Sequence, residues 1–186
     1  MLTIFKRKVL VILILIVVLS CTVRQSDRNI EVRKLKWKDF VGKPDPNSKF
    51  DAYTIWKVYY RFDAPIFNLD EVKIKFNVWC ELSEKSWVKK RVQVDKSELL
   101  NHEQGHFNIG KLCEITVSSA LENYTYSKSN YEFEIDSIFD SILQEYLALE
   151  KKYDIETNHM YNRKAQKEWD IFFRKEFKKH KYNLSQ

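Results

Sequence analysis

One short stretch limits what this chain can become: Asn101-His102-Glu103-Gln104-Gly105-His106-Phe107. In a helix, His102 and His106 fall about 40° apart on one face, one turn from each other. Two neutral imidazoles at that spacing can share one tetrahedral zinc ion, and Glu103 beside the first of them can reach a water on the same ion. Zinc lowers the pKa of such a water from about 15.7 towards roughly 7. A nearby carboxylate can then take its proton and return it to a leaving amine. The competing reading is a solvated helix face with two surface histidines. Against it, the chain has only four His, and two of them form this pair.

The N-terminus reads as an address rather than as fold. Lys6, Arg7 and Lys8 precede an unbroken apolar run from Val9 to Leu19, and Ser20 and Cys21 follow at once. The run is short of the roughly 20 residues that a transmembrane helix needs, so residues 1–20 are predicted to be a signal peptide. Val18-Leu19-Ser20-Cys21 is similar to a bacterial lipobox, which makes Cys21 the expected lipidation site and places the protein on a membrane of the cell envelope. Ordinary secretion, or an uncleaved anchor, is the alternative. Residues 21–29 form a tether, and residues 30–182 a single domain. The signal segment holds three basic residues and no acidic one, so the mature chain keeps a net charge of +3. So small an excess gives no indication of nucleic-acid binding, and the basic stretch from Arg174 to Lys181 reads as a solvated helix end. Without Cys21, Cys80 and Cys113 remain, as a disulfide or as two thiols.

The domain reads as α+β. Turn residues 42–48 close a first strand near Ile30. Residues 50–62 and 71–82 alternate with period two, and a shorter Lys/Arg-rich strand spans 86–94. An antiparallel sheet of three or four strands follows. Asp95 then caps a helix from Lys96 to about Tyr124, with Glu98 completing a capping box. Gly105 and Gly110 in that helix mark close packing or are incidental. Ile135, Ile138, Phe139, Ile142, Tyr146 and Leu149 predict a second helix over 132–152. A polar cluster, Tyr153 to His159, precedes a third helix carrying Trp169, Phe173 and Phe177.

A catalytic zinc needs a third protein ligand and an open fourth position. No third histidine follows His106 at close spacing, so the polar cluster must supply it. His159 is the first candidate and Glu156 the alternative, with Asp154 behind them. Asp154 and Thr157 can instead orient an imidazole from behind, and Tyr153 or Tyr161 can support an oxyanion. Capping of the last helix is the bland role for the same cluster.

Several blocks carry a family resemblance: Leu35-Lys36-Trp37-Lys38-Asp39-Phe40-Val41-Gly42, Ala52-Tyr53-Thr54, Ser86-Trp87-Val88, Leu99 to Ile109 around the motif, and Tyr153-Asp154, Thr157, His159, Gln166 and Trp169. Together they resemble a bacterial family of secreted zinc-dependent proteases, a domain of unknown function grouped with the zincin-like peptidases. The resemblance covers roughly residues 30–170. It implies one zinc ion held by His102, His106 and His159, with Glu103 as the catalytic base. Met160 departs from it, standing where the family pattern has Gly. The expected function is thus a zinc metallopeptidase of the bacterial envelope, acting on a peptide or protein substrate. The alternatives are a non-catalytic metal- or partner-binding lipoprotein and a zinc amidase acting on cell-wall peptide.

Overall fold

The computed structural model describes residues 30–68 and 72–184. The signal peptide, the tether and the proposed lipidation site Cys21 lie outside the described residues. The order is β1 (Ile30–Val32), a 3-10 turn (Trp37–Asp39), β2 (Ala52–Tyr53), β3 (Trp56–Phe62), β4 (Ile66–Phe67), β5 (Val72–Lys73), β6 (Phe76–Leu82), β7 (Trp87–Val88), α1 (Lys96–Asn123), α2 (Tyr131–Thr157), α3 (Arg163–Lys179) and β8 (Tyr182–Leu184). The protein is α+β: short antiparallel strands, then three helices.

The antiparallel pairs nest within one another. Ala52 faces Val88, Trp56 faces Leu82, Phe62 faces Phe76 and Phe67 faces Val72. Residues 52–67 and 72–88 therefore pair as one long two-stranded ribbon rather than a wider sheet. The strand expected over 50–62 is divided at Thr54 and Ile55. There the buried Ser86 hydroxyl accepts from the Ile55 N–H and donates to its carbonyl, standing in for a strand partner. The strand expected over 86–94 shrinks to Trp87–Val88, because Asp51 draws the Lys89 and Gln93 backbone amides towards itself. A separate parallel pair joins β1 to β8, with Ile30 opposite Tyr182.

α1 is the central element, packed between the ribbon and the other two helices. Asp95 caps it by accepting from the Ser97 and Glu98 amides. Glu98 does not close the capping box, because its carboxylate pairs with Arg163 at the start of α3. Ile109, Cys113, Val117 and Leu121 of α1 are fully buried. Trp56 and Val58 meet them from the ribbon, and Phe173 and Phe177 of α3 share the same core. Cys80 on β6 and Cys113 on α1 are separate thiols. Burial pushes both up, Cys113 to about 12, so neither is a thiolate at neutral pH.

α2 extends further than its apolar stripe suggests. The cluster read as a connection continues the helix through Thr157, whose hydroxyl donates back to the Tyr153 carbonyl at 2.6 Å. The turn that follows holds Asn158, His159 and Met160 at φ 47°, 50° and 81°, with no glycine among them. Among the described residues no helix is long and apolar enough to cross a membrane.

The two helix glycines are sites of close approach. A Cβ on Gly110 would lie 2.7 Å from the Trp56 ring and 2.9 Å from Cys80 Sγ, and one on Gly105 would lie 2.1 Å from the Tyr153 hydroxyl. Gly to Ala normally stabilises a helix interior by roughly 1 kcal/mol. Overpacking costs about 1–3 kcal/mol, so Gly110→Ala is expected to destabilise the protein on balance. Urea denaturation of this variant should show a lower midpoint than the parent chain.

Candidate metal centre

The spacing in α1 brings the two Nε2 atoms of His102 and His106 to 3.3 Å from each other. Asp154 of α2 faces them, with Oδ1 3.3 Å from His102 Nε2 and 3.2 Å from His106 Nε2. These three donor atoms form the metal-competent group among the described residues, all within 4.8 Å of one another.

What the three atoms present to each other follows from their partners. His102 Nδ1 faces Gln166 Oε1 at 3.2 Å, and that amide is oriented by its own Nε2, which donates to Asp170. His106 Nδ1 faces Glu150 Oε1 at 3.1 Å. Both Nδ1 atoms meet acceptors, so in the neutral rings both carry the proton and both Nε2 atoms carry lone pairs. Asp154 Oδ1 is buried and makes no hydrogen bond. Three lone pairs thus converge on one buried point. Such an arrangement calls for a positive charge, and two imidazoles with a carboxylate suit a divalent transition-metal ion.

The electrostatics agree. Burial disfavours the His106 imidazolium, but Asp154, Glu150 and Glu103 outweigh it and raise its pKa to about 10. Burial works against the Asp154 carboxylate too, yet His102 and His106 hold it well below the usual carboxylate range. The three donors thus favour one positive charge among them, and a proton on His106 would compete with any cation for that place.

Glu103 is buried beside this point. Its Oε2 accepts from the Thr54 hydroxyl at 2.6 Å, so Oε1 is the atom left for solvent or a substrate. The four groups open into a cavity of about 310 Å³, whose walls include Phe50, Tyr53, Val94, Leu99, Met160 and Tyr161. Burial first, then the charges of Glu150, Asp154 and Glu103, raise the Tyr53 phenol, so it stays a hydrogen-bond donor at neutral pH.

The structure differs from the sequence reading on the third donor. His159 does not join the pair. Its Nδ1 lies 3.2 Å from Asp154 Oδ1, and its ring packs on Phe50 in the strained turn. Glu156 points elsewhere, accepting from the Trp169 indole. The reason is the length of α2: two residues of helix turn the chain by about 200°, so Asp154 and Glu156 leave on opposite sides. Tyr153 is unavailable to a substrate. Its ring stacks on His102, and its buried hydroxyl donates to the His102 carbonyl at 3.0 Å. Thr157 bonds backbone and orients no imidazole. Tyr161, by contrast, is 64% exposed on the cavity rim. Glu150 escaped the sequence reading altogether. The signal that could have found it is the helical stripe Glu150, Tyr153, Asp154, Thr157, spaced i, i+3, i+4, i+7.

Residues 31–160 match the family described as bacterial protein of unknown function (DUF922). The chain belongs to that family. No curated protein and no solved structure matches it. The DUF922 match contains His102, Glu103, His106, Glu150 and Asp154, whereas Gln166 and Asp170 lie beyond it.

The donor set is open to direct measurement. In zinc titrations of the dialysed protein, Asp154→Ala should weaken binding at least as much as His102→Ala. Loss of an outer partner typically costs about 10–100-fold. His159→Ala should fall in that range and Glu156→Ala should change little. A loss in His159→Ala equal to that in His102→Ala would return His159 to the ligand set.

Proposed function

We propose that this DUF922 protein is a zinc-dependent peptidase of the bacterial envelope. The observation that carries the reading is the convergence of two imidazole lone pairs and a buried carboxylate oxygen beside a second buried carboxylate, all at the wall of a cavity. His102, His106 and Asp154 would hold the ion, a set of three protein donors that leaves one position open. When bound, zinc supplies Lewis acidity, making water acidic near neutral pH and polarising a carbonyl.

The chain's own residues do the rest. Glu103 accepts the proton from water as the water oxygen bonds to the peptide carbonyl carbon. The C–N bond then breaks, and Glu103 returns that proton to the departing nitrogen. Thr54 fixes the carboxylate by donating to Oε2, which would leave Oε1 to take the proton. Glu150 and Gln166 fix the rings, and Glu150 is itself held by the Trp56 indole at 2.9 Å. Tyr53 and Tyr161, both on the cavity wall, are the groups placed to donate to a developing oxyanion. The substrate would lie as an extended peptide beside β2, whose Ala52 and Tyr53 form one side of the cavity. The lipobox-like Val18-Leu19-Ser20-Cys21 supports attachment to the membrane through Cys21.

Two variants separate catalysis from metal binding. Glu103→Gln should retain zinc and lose roughly 10²–10⁴-fold in kcat. Zinc retention by the parent chain with no turnover across a broad peptide library would instead indicate a non-catalytic metal-binding protein. Thr54→Val, close in shape but unable to donate, should lower kcat by about tenfold with KM little changed, since one hydrogen bond to a charged group contributes roughly 1.5–3 kcal/mol. Thr54→Ser should recover most of that rate. Equal rates for the Val and Ser variants would leave Thr54 without a positioning role.

A further inference from the structure

The outer face of α3 has no role in the site. Lys164, Lys167, Arg174, Lys175 and Lys178 are all exposed on it. At 100° per residue all five lie within about 60° of Ile171, opposite the buried Trp169 and Phe173. None of the five pairs with a carboxylate among the described residues. Glu168 is the single acidic side chain in that arc. Ile171, at its centre, is 44% exposed. The neighbouring helix has the opposite character. α3 carries seven Lys and Arg against three Asp and Glu, while α2 carries eight acids against two Lys. Charge is thus shared unevenly between the two adjacent helices, with the basic excess on α3.

The topology adds a second observation. β8 follows α3 directly, and its first residue, Tyr182, stands opposite Ile30 in the parallel ladder. The chain arriving from the N-terminal segment thus enters the domain beside the basic end of α3. Only eight residues separate Cys21 from Ile30, a reach of at most about 30 Å even when fully extended. A domain held that close to a bilayer by this corner brings α3 within range of the headgroups. Electrostatic attraction then decides which side faces them, because it acts over a screening length of about 8 Å at physiological salt.

We propose that the outer face of α3 docks on an anionic phospholipid surface, as a second membrane contact beyond the N-terminal segment. Arg and Lys side chains engage the headgroup phosphates, and Ile171 enters the interface between them. The proposal rests on the reading of residues 1–21 as a membrane-anchoring signal. Its partner is lipid charge rather than any one lipid.

The test uses the full chain, purified in detergent and reconstituted into vesicles of phosphatidylcholine alone or with phosphatidylglycerol. Brief acetylation followed by mass spectrometry reads each lysine. Lys164, Lys167, Lys175 and Lys178 should react at least roughly threefold more slowly in the anionic vesicles. Exposed Lys38, Lys57 and Lys85 should be unchanged. Protection should vanish in about 1 M salt, where the screening length is near 3 Å. It should also vanish at Lys164 and Lys178 in the triple variant Lys167→Glu, Arg174→Glu, Lys175→Glu, whose changes are all on the solvent face. Flotation with the neutral vesicles reads the N-terminal anchor separately. A chain that fails to float rejects the anchor and the proposal with it. One that floats without protection rejects α3 docking alone. Equal protection in neutral vesicles, or protection without vesicles that grows with protein concentration, would assign the face to an uncharged surface or to a second copy and overturn the proposal.

Discussion

The meeting of His102, His106 and Asp154 is the constraint on which the rest of the structure depends. An ionised carboxylate shielded from water is costly unless something positive or a hydrogen bond compensates it. Asp154 Oδ1 has no hydrogen bond; three ring nitrogens surround it, and those of His102 and His106 have their protons placed elsewhere. A proton can satisfy the group, as the raised His106 pKa shows. A metal ion satisfies all three donors at once. The two outcomes differ in what happens to Glu103. Its carboxylate adds to the negative field in either case, but only beside a Lewis acid does it gain a water acidic enough to deprotonate.

The same bonds that set the ring tautomers also hold the fold together. Glu150 links the His106 ring on α1 to the Trp56 indole on the ribbon. Gln166 links the His102 ring to α3 and is shared with the Tyr153 hydroxyl on α2. Asp170 closes that circuit by accepting from both Gln166 and Asn101. α2, α3 and β3, which all pack on α1, thus each contribute a polar group to the site. Gly105 permits this, since its missing side chain is the space that the Tyr153 ring occupies. Site and core cannot be varied independently in such a molecule. A change in helix packing of a few tenths of an ångström moves the imidazole partners with it.

The legible parts of the sequence were those whose physics is local. The i, i+4 histidine pair with its glutamate needs only helix geometry, and the strand alternation of 56–62 and 76–82 appears as written. The capping of α1 by Asp95 is equally local. The errors came where polarity was read as loop. Tyr153, Asp154 and Thr157 are buried or half-buried on the site's side of the helix while Ile155 and Glu156 turn outward, so the hydrophobic stripe of α2 ended before the helix did. Reading that segment as a connection places His159 and Glu156 ahead of Asp154, while Glu150 sits inside the expected helix with, on that reading, no local signal beyond its polarity. Thr54 and Gln166 had entered only through the resemblance, since their partners lie 49 and 64 residues away. No spacing rule reaches across such distances, and the serine that breaks the long strand is visible only once Ile55 and Ser86 are side by side.

The turn after α2 shows what the site costs the backbone. Three successive residues with positive φ, none of them glycine, carry roughly 1–3 kcal/mol of strain each. Asn at the first position is the ordinary helix ending in the left-handed region. His159 and Met160 have no such excuse, and the resemblance places Gly at the second of these. Compensation is found in the packing. Met160 is buried against Ala52 and Leu99, and the His159 ring lies 4.6 Å from Phe50. The amide of Asn162 returns to the Thr157 carbonyl at 2.8 Å, fixing the turn from the other side. A glycine at 160 would relax the backbone but remove the apolar wall that Met160 gives the cavity. The strained methionine therefore exchanges local backbone stability for the shape of the space beside the three converging donors.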